Sequence, residues 1–166
     1  MELQDIKELS FAEVLHEYEV LHGSKGDRWE LRNLQRADKM FDAWISCDMP
    51  ACQIGMVVLG QYKYGGCNVV PEQGARVAEA LAHFMDDRAH FLASNRQFWD
   101  RFQVQKELIG RRGMRTIFLS ERPLLVGSTY AGLQEFKRDI THLDGLHRMM
   151  AFQDLYERRE TGIERV

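Results

Sequence analysis

The sequence predicts an α+β fold: a mostly helical part over residues 1–112 and a small mixed α+β unit over 113–166. Three observations predict it. Apolar residues recur at helical spacing through most of the first 108 positions. Two short extended segments, 115–120 and 139–143, follow in the last third. An Asp-Gly reversal then joins the second of these to another apolar helical pattern. At 166 residues a single domain is the expectation.

The first helix is set by Ser10-Phe11-Ala12-Glu13, a capping box, with Val14, Leu15, Tyr18 and Leu21 on its apolar side. Asp27 is placed to cap a second helix, along which Trp29, Leu34, Ala37, Met40, Phe41 and Trp44 recur. Pro50 ends that pattern. The apolar run 53–62 reads as a strand by its β-branched content, although Gly55 and Gly60 also suit a short packed helix. Residues 62–68 read as an aromatic turn. Pro71 suits the first position of a third helix. Its apolar pattern continues to Leu108, with a restart near Ser94-Asn95, because both are capping residues. Gly110-Arg111-Arg112-Gly113 is a basic turn that suits the negative end of that helix. Leu124-Leu125-Val126 suggests a further extended piece, 149–155 an amphipathic helix, and 163–166 the start of a last strand.

Composition narrows the function classes. Hydrophobic residues at 45% and charged residues at 28% are globular values, so a core is expected. A net charge of −3 argues against a sequence-independent nucleic-acid binder, and no nucleic-acid partner is expected. No run approaches the roughly 18 apolar residues of a membrane span, so no membrane association is expected. The acidic, polar start is unlike a secretory leader. Cys47, Cys52 and Cys67 are odd in number and follow no metal spacing. Buried free thiols in a reducing cytoplasm are the expectation.

The chemistry concentrates at Asp144-Gly145-Leu146-His147-Arg148. The glycine lets the backbone approach a ligand or take positive φ. The following helix start offers unpaired N–H groups and a positive dipole end. Arg148 can fork onto phosphate or carboxylate, and His147 can donate to phosphate or carry a proton. Asp144 can hold a metal, orient the arginine or accept a proton. The structural alternative is an ordinary Asp-Gly turn, with Asp144 capping the helix and Arg148 in solvent. His142 and Asp144 with His147 also compose a facial metal triad. His83 with Asp87, and Asp86 with His90, are further pairs at metal-ligand spacing on one helix.

The pattern D-G-x-H-R-x-x-A, after a short apolar strand and opening a helix, resembles the signature of the ParB/sulfiredoxin-like superfamily, in the form of its free-serine-kinase-like members. Here it reads Asp144-Gly145-Leu146-His147-Arg148-Met149-Met150-Ala151, and the resemblance covers residues 114–166. It implies a ParB/sulfiredoxin-like mixed sheet and a nucleotide-phosphate cradle at Gly145, Leu146, His147 and Arg148. Leu146 stands where sulfiredoxin-type members carry their catalytic cysteine, so sulfinic acid reduction is not implied. Neither the arginine-rich motif nor the helix-turn-helix of DNA-loading ParB-type members is present.

The resemblance to kinase-like members implies a nucleotide-dependent phosphotransferase acting on a small hydroxyl- or amine-bearing metabolite, with ATP or ADP and Mg²⁺ as cofactors. Asp144, His147 and Glu121 are then the catalytic candidates. Glu121 follows the 115–120 strand in the place of an activating acid, with Glu135 and Asp139 as competitors. Asp144 is the metal candidate. The alternative is a non-catalytic ParB-like nucleotide-binding switch or a protein-interaction module. A homodimer is left open.

Overall fold

A capping box opens the first helix, as its sequence requires. The Ser10 N–H donates to Glu13 Oε2 at 2.8 Å, and the Glu13 N–H donates to Ser10 Oγ at 3.3 Å. Those contacts hold the Glu13 carboxyl below the usual carboxylate range. The structure, a computed structural model, describes residues 3–23, 29–64, 67–124 and 129–159. The fold is α+β, and the chain divides into two compact units, Met1–Met49 and Pro50–Val166.

In the first unit, strand β1 (Gln4–Leu9) runs into helix α1 (Phe11–His22). Helix α2 (Trp29–Met40) and strand β2 (Trp44–Asp48) follow. The strands pair antiparallel, with Lys7 opposite Ser46 and Leu9 opposite Trp44. A bulge lies between Gln4 and Lys7, where Asp5 takes φ 50°. The sequence marks no strand here, because β1 is exposed almost throughout and so shows no alternation of apolar and polar residues. Helix α2 also stops short of the expected Trp44. Trp44 joins the ladder instead, stacks on Phe11 at 5.9 Å and donates its indole N–H to Asp38 at 2.9 Å. Val14, Tyr18, Leu34 and Ala37 are buried.

The second unit begins with a 3₁₀ turn (Ala51–Met56) and strand β3 (Val58–Leu59), which divide the apolar run between helix and strand. Strands β4 (Tyr62–Tyr64) and β5 (Cys67–Val70) form an antiparallel hairpin at the expected aromatic turn. Strand β6 (Ala75–Arg76) leads into α3 (Val77–Asp86). That helix starts later than Pro71 because residues 71–74 turn: the Gly74 N–H bonds the Pro71 carbonyl at 3.0 Å, with Gly74 at φ 80°. Helix α4 (Arg88–Ser94) and helix α5 (Arg96–Arg112) are separated at Asn95, whose Oδ1 accepts from the Phe98 N–H at 3.1 Å. The restart thus falls where the capping residues put it. Phe84 lies among Phe91, Phe98, Trp99 and Phe102, with ring centroids 5.1 to 5.5 Å apart.

Strand β7 (Phe118–Ser120), a 3₁₀ turn (Leu133–Phe136), strand β8 (Thr141–Asp144) and helix α6 (Leu146–Glu157) complete the second unit. Its four-stranded sheet has the order β6-β3-β8-β7. The β3–β8 pair is parallel and the other two are antiparallel. The sheet therefore draws two strands from the part of the chain expected to be mostly helical: β3, in the run that reads as a strand, and β6, which no sequence signal marks. Helix α6 packs against α5 and α3. Residues 149 to 155 are all buried, so the expected amphipathic helix is enclosed on every side. Its buried Asp154 is paired, accepting from Lys106 Nζ at 2.5 Å and Arg158 Nε at 2.8 Å. Among the described residues, no helix is long and apolar enough to cross a membrane. The Asp27 cap, most of the 124–126 piece and the 163–166 strand lie outside the described residues.

Candidate anion-binding site

Strand β8 delivers Asp144 to a one-residue reversal. Gly145 sits at φ 109° and ψ 18°, and its carbonyl accepts the first helical bond, from Met149 N–H at 2.9 Å. A side chain here meets two obstacles. The positive φ strains any L residue. A Cβ would also lie 2.7 Å from Ile117 Cγ2 and 3.2 Å from Arg148 Nη2. Gly145→Ala is expected to destabilise the protein by about 2–3 kcal/mol. The check is a lower urea midpoint at unchanged slope; a wild-type midpoint would contradict this account of the turn.

One helical turn on, Arg148 folds back over the glycine. Its Nη2 donates to Asp144 Oδ2 at 2.6 Å, and the two side chains are only 12% and 8% exposed. Arg148 Nε is buried and has no hydrogen-bond partner among the described residues. Asp144 is therefore committed to the guanidinium, on strand β8 rather than as a helix cap.

His147 points elsewhere. Its ring lies 4.5 Å from Phe98 and edge-on to Tyr62 at 6.1 Å, and its Nε2 is buried without a partner among the described residues. Burial, then the Arg101 guanidinium, His142 and Arg148, push it down to about 4 against the opposing pull of Asp144. His142, on β8, is also pushed down to about 4, mainly by burial. Both imidazoles are neutral at pH 7.

The concavity at this end of the unit is a groove of about 340 Å³. Arg112, Arg115 and Arg148 line it together with Gln105, Leu108 and Ile109. Arg112 and Arg115 are exposed, and neither has an acidic partner among the described residues. Neighbouring Arg111, by contrast, is paired with Glu107 at 2.5 Å. Three arginines thus line a small space, and Asp144 answers one of them.

The structure brings Arg148 onto Asp144 and over Gly145, while the His147 ring packs against Phe98 and Leu146 is buried. It does not bring Glu121 to them. Strand β7 is antiparallel to β8, with Phe118 opposite Asp144 and Ser120 opposite Thr141. Glu121 therefore lies at the other end of the strand pair, about 10 Å along it at the usual rise. Its side chain is 74% exposed beside Arg122. Among the described residues, no three His, Cys, Asp or Glu side chains are grouped to hold a metal. The His142, Asp144 and His147 triad accordingly does not assemble as a ligand set, and neither helical His/Asp pair has a third ligand beside it among the described residues. His83 instead lies edge-on to Phe91.

Sequence reasoning missed two features. Arg112 read as part of a basic turn that ends a helix and Arg115 as the start of a strand, and only an accounting of which cations have partners singles them out. Cys67 Sγ lies 2.9 Å from Ser94 Oγ and 3.6 Å from His90 Nε2. Those residues are more than 20 apart in sequence, and no local motif announces them.

No curated protein and no solved structure matches the chain. A family model does match, over residues 3–163, and so takes in nearly all of both units. The chain belongs to that family, DUF6309, a family of unknown function.

Proposed function

We propose that the protein binds a nucleotide or similar phosphate-bearing small molecule in the groove beside α5 and the first turn of α6. In this reading it is a ParB-like nucleotide-binding switch or interaction module without catalysis. One observation carries the reading: three arginines line one groove, and two of them lack acidic partners among the described residues. Cations held together without counter-charges repel, and an anion relieves that repulsion. Guanidinium is also the side chain best matched to phosphate oxygens. The unpartnered Arg148 Nε adds support, since a buried donor without an acceptor calls for an explanation such as a ligand. The resemblance of D-G-x-H-R to ParB/sulfiredoxin-like phosphate cradles is consistent with a strand, a positive-φ glycine and a helix start at those residues.

The catalytic version is ATP- or ADP-dependent phosphoryl transfer, with Mg²⁺, to a hydroxyl or amine. It asks for a carboxylate able to take a proton from the acceptor. Asp144 is engaged by Arg148, and Glu121 is at the far end of its strand. Binding without transfer is therefore the reading we favour.

Calorimetric titration with ATP, ADP and CTP tests it. Arg112→Ala and Arg115→Ala change exposed, unpaired residues, so both variants should fold normally. Each is expected to weaken binding about tenfold, the size of one charge-assisted contact of roughly 1.5 kcal/mol. Nucleotide affinity unchanged in both variants would remove the groove from consideration. A phosphorylated product from a pool of small metabolites would revive the transferase reading.

A further inference from the structure

Helix α5 carries five cations, and three of them have partners. Arg96 pairs with Asp100, Lys106 with Asp154 and Arg111 with Glu107. Arg101 and Arg112 have no acidic partner among the described residues. The two are not scattered. Residues 101, 105, 108 and 112 follow one another by four, three and four positions, which places them on one helix face. The groove already takes Gln105, Leu108 and Arg112 from that face. Arg101 continues it by one turn toward the start of the helix. Its charge also acts on His147, in the first turn of α6.

The face has a definite order of chemistry. Arg112 stands at one end of it and Arg101 at the other, and Arg115 and Arg148 line the groove with Arg112. Leu108, Ile109 and the Gln105 amide lie between them. From Arg101 to Arg112 the helix rises roughly 16 Å, at about 1.5 Å per residue. A lone phosphate would occupy one end and leave Arg101 unanswered.

Building on the groove reading above, we propose that the ligand is elongated and anionic at both ends. One acidic group would sit on Arg112, Arg115 and Arg148, and the second on Arg101. A less polar body would lie along Leu108 and Ile109. This makes Arg101 the residue that selects for length.

The test uses three probes: pyrophosphate, octylphosphonate and a bisphosphonate with an octane spacer. The last two share a chain and differ only in the second anionic end. Wild type is expected to bind the bisphosphonate at least tenfold more tightly than octylphosphonate. Arg101→Ala should abolish that difference while leaving octylphosphonate binding within twofold, and its melting temperature should match wild type because Arg101 is exposed. Arg112→Ala should weaken both phosphonates. If pyrophosphate binds but the two phosphonates bind equally, or Arg101→Ala changes nothing, the two-ended ligand is wrong and the groove reading stands. If none of the three probes binds wild type, the groove reading falls and this inference falls with it.

Discussion

Acidification from pH 6.5 to pH 4 is expected to remove several kcal/mol of stability from this protein. His142 and His147 are the source. Each is pushed from 6.5 to about 4 in the folded chain, chiefly by burial. Above pH 6.5 neither the folded nor the unfolded state is protonated there, so stability is complete. As the pH falls below 6.5, the unfolded chain takes up protons that the folded chain refuses, and stability drops until the folded imidazoles titrate near 4. A shift of that size corresponds to roughly 3 kcal/mol for each group. The two rings repel one another when charged, so their contributions are coupled rather than strictly additive. A total of this order is a large share of the roughly 5–15 kcal/mol that holds a typical domain folded. Urea denaturation at pH 7, 5.5 and 4.5 should show a falling midpoint, and His147→Phe, which keeps a ring beside Phe98, should flatten the fall. Equal midpoints for wild type at all three values would refute the assignment. Carboxylates also titrate at the lower end, so the difference between wild type and the variant is the informative quantity.

Asp144→Ala is expected to cost about 3–5 kcal/mol, the range seen when one partner of a buried ion pair is removed. The guanidinium left behind is 12% exposed and would keep its charge without its carboxylate. Asp144→Ala combined with Arg148→Met should recover much of that loss, because the double change leaves no uncompensated charge. The measurement is a double-mutant cycle of unfolding free energies. A single variant as stable as wild type would mean that the pair contributes nothing to the fold. The same cycle separates roles in binding. If Asp144 only orients Arg148, the single variant loses anion affinity wherever it remains folded. If Asp144 competes with the ligand, affinity rises.

Local chemistry made part of the fold legible. The Ser10/Glu13 box and the Asn95 cap are contacts within three residues, so the sequence contains both partners. The turn at Gly145 is legible for the same reason. What was not legible depends on partners far along the chain. The β1–β2 ladder is held by backbone bonds with exposed side chains, and so leaves no apolar rhythm. Helix α6 carries Gln153 and Asp154 among its apolar residues, and these read as a solvent face. Lys106, 48 residues away, is what lets Asp154 be buried. The position of Glu121 turns on the β7–β8 register, which pairing fixes and no local signal gives. The groove depends on which arginines lack partners, a property of the folded chain alone.

Helix α6 holds Arg148 at its start and is enclosed from Met149 to Leu155. Its guanidinium is presented from a rigid mount. The helix cannot tilt to meet a visitor without opening the interior around Phe152. An occupant of the groove would therefore pull directly on the folding equilibrium, by about 2.7 kcal/mol at a hundredfold excess over its dissociation constant. Heat resistance in the presence of candidate metabolites then becomes a gauge of occupancy, one that needs no knowledge of any reaction.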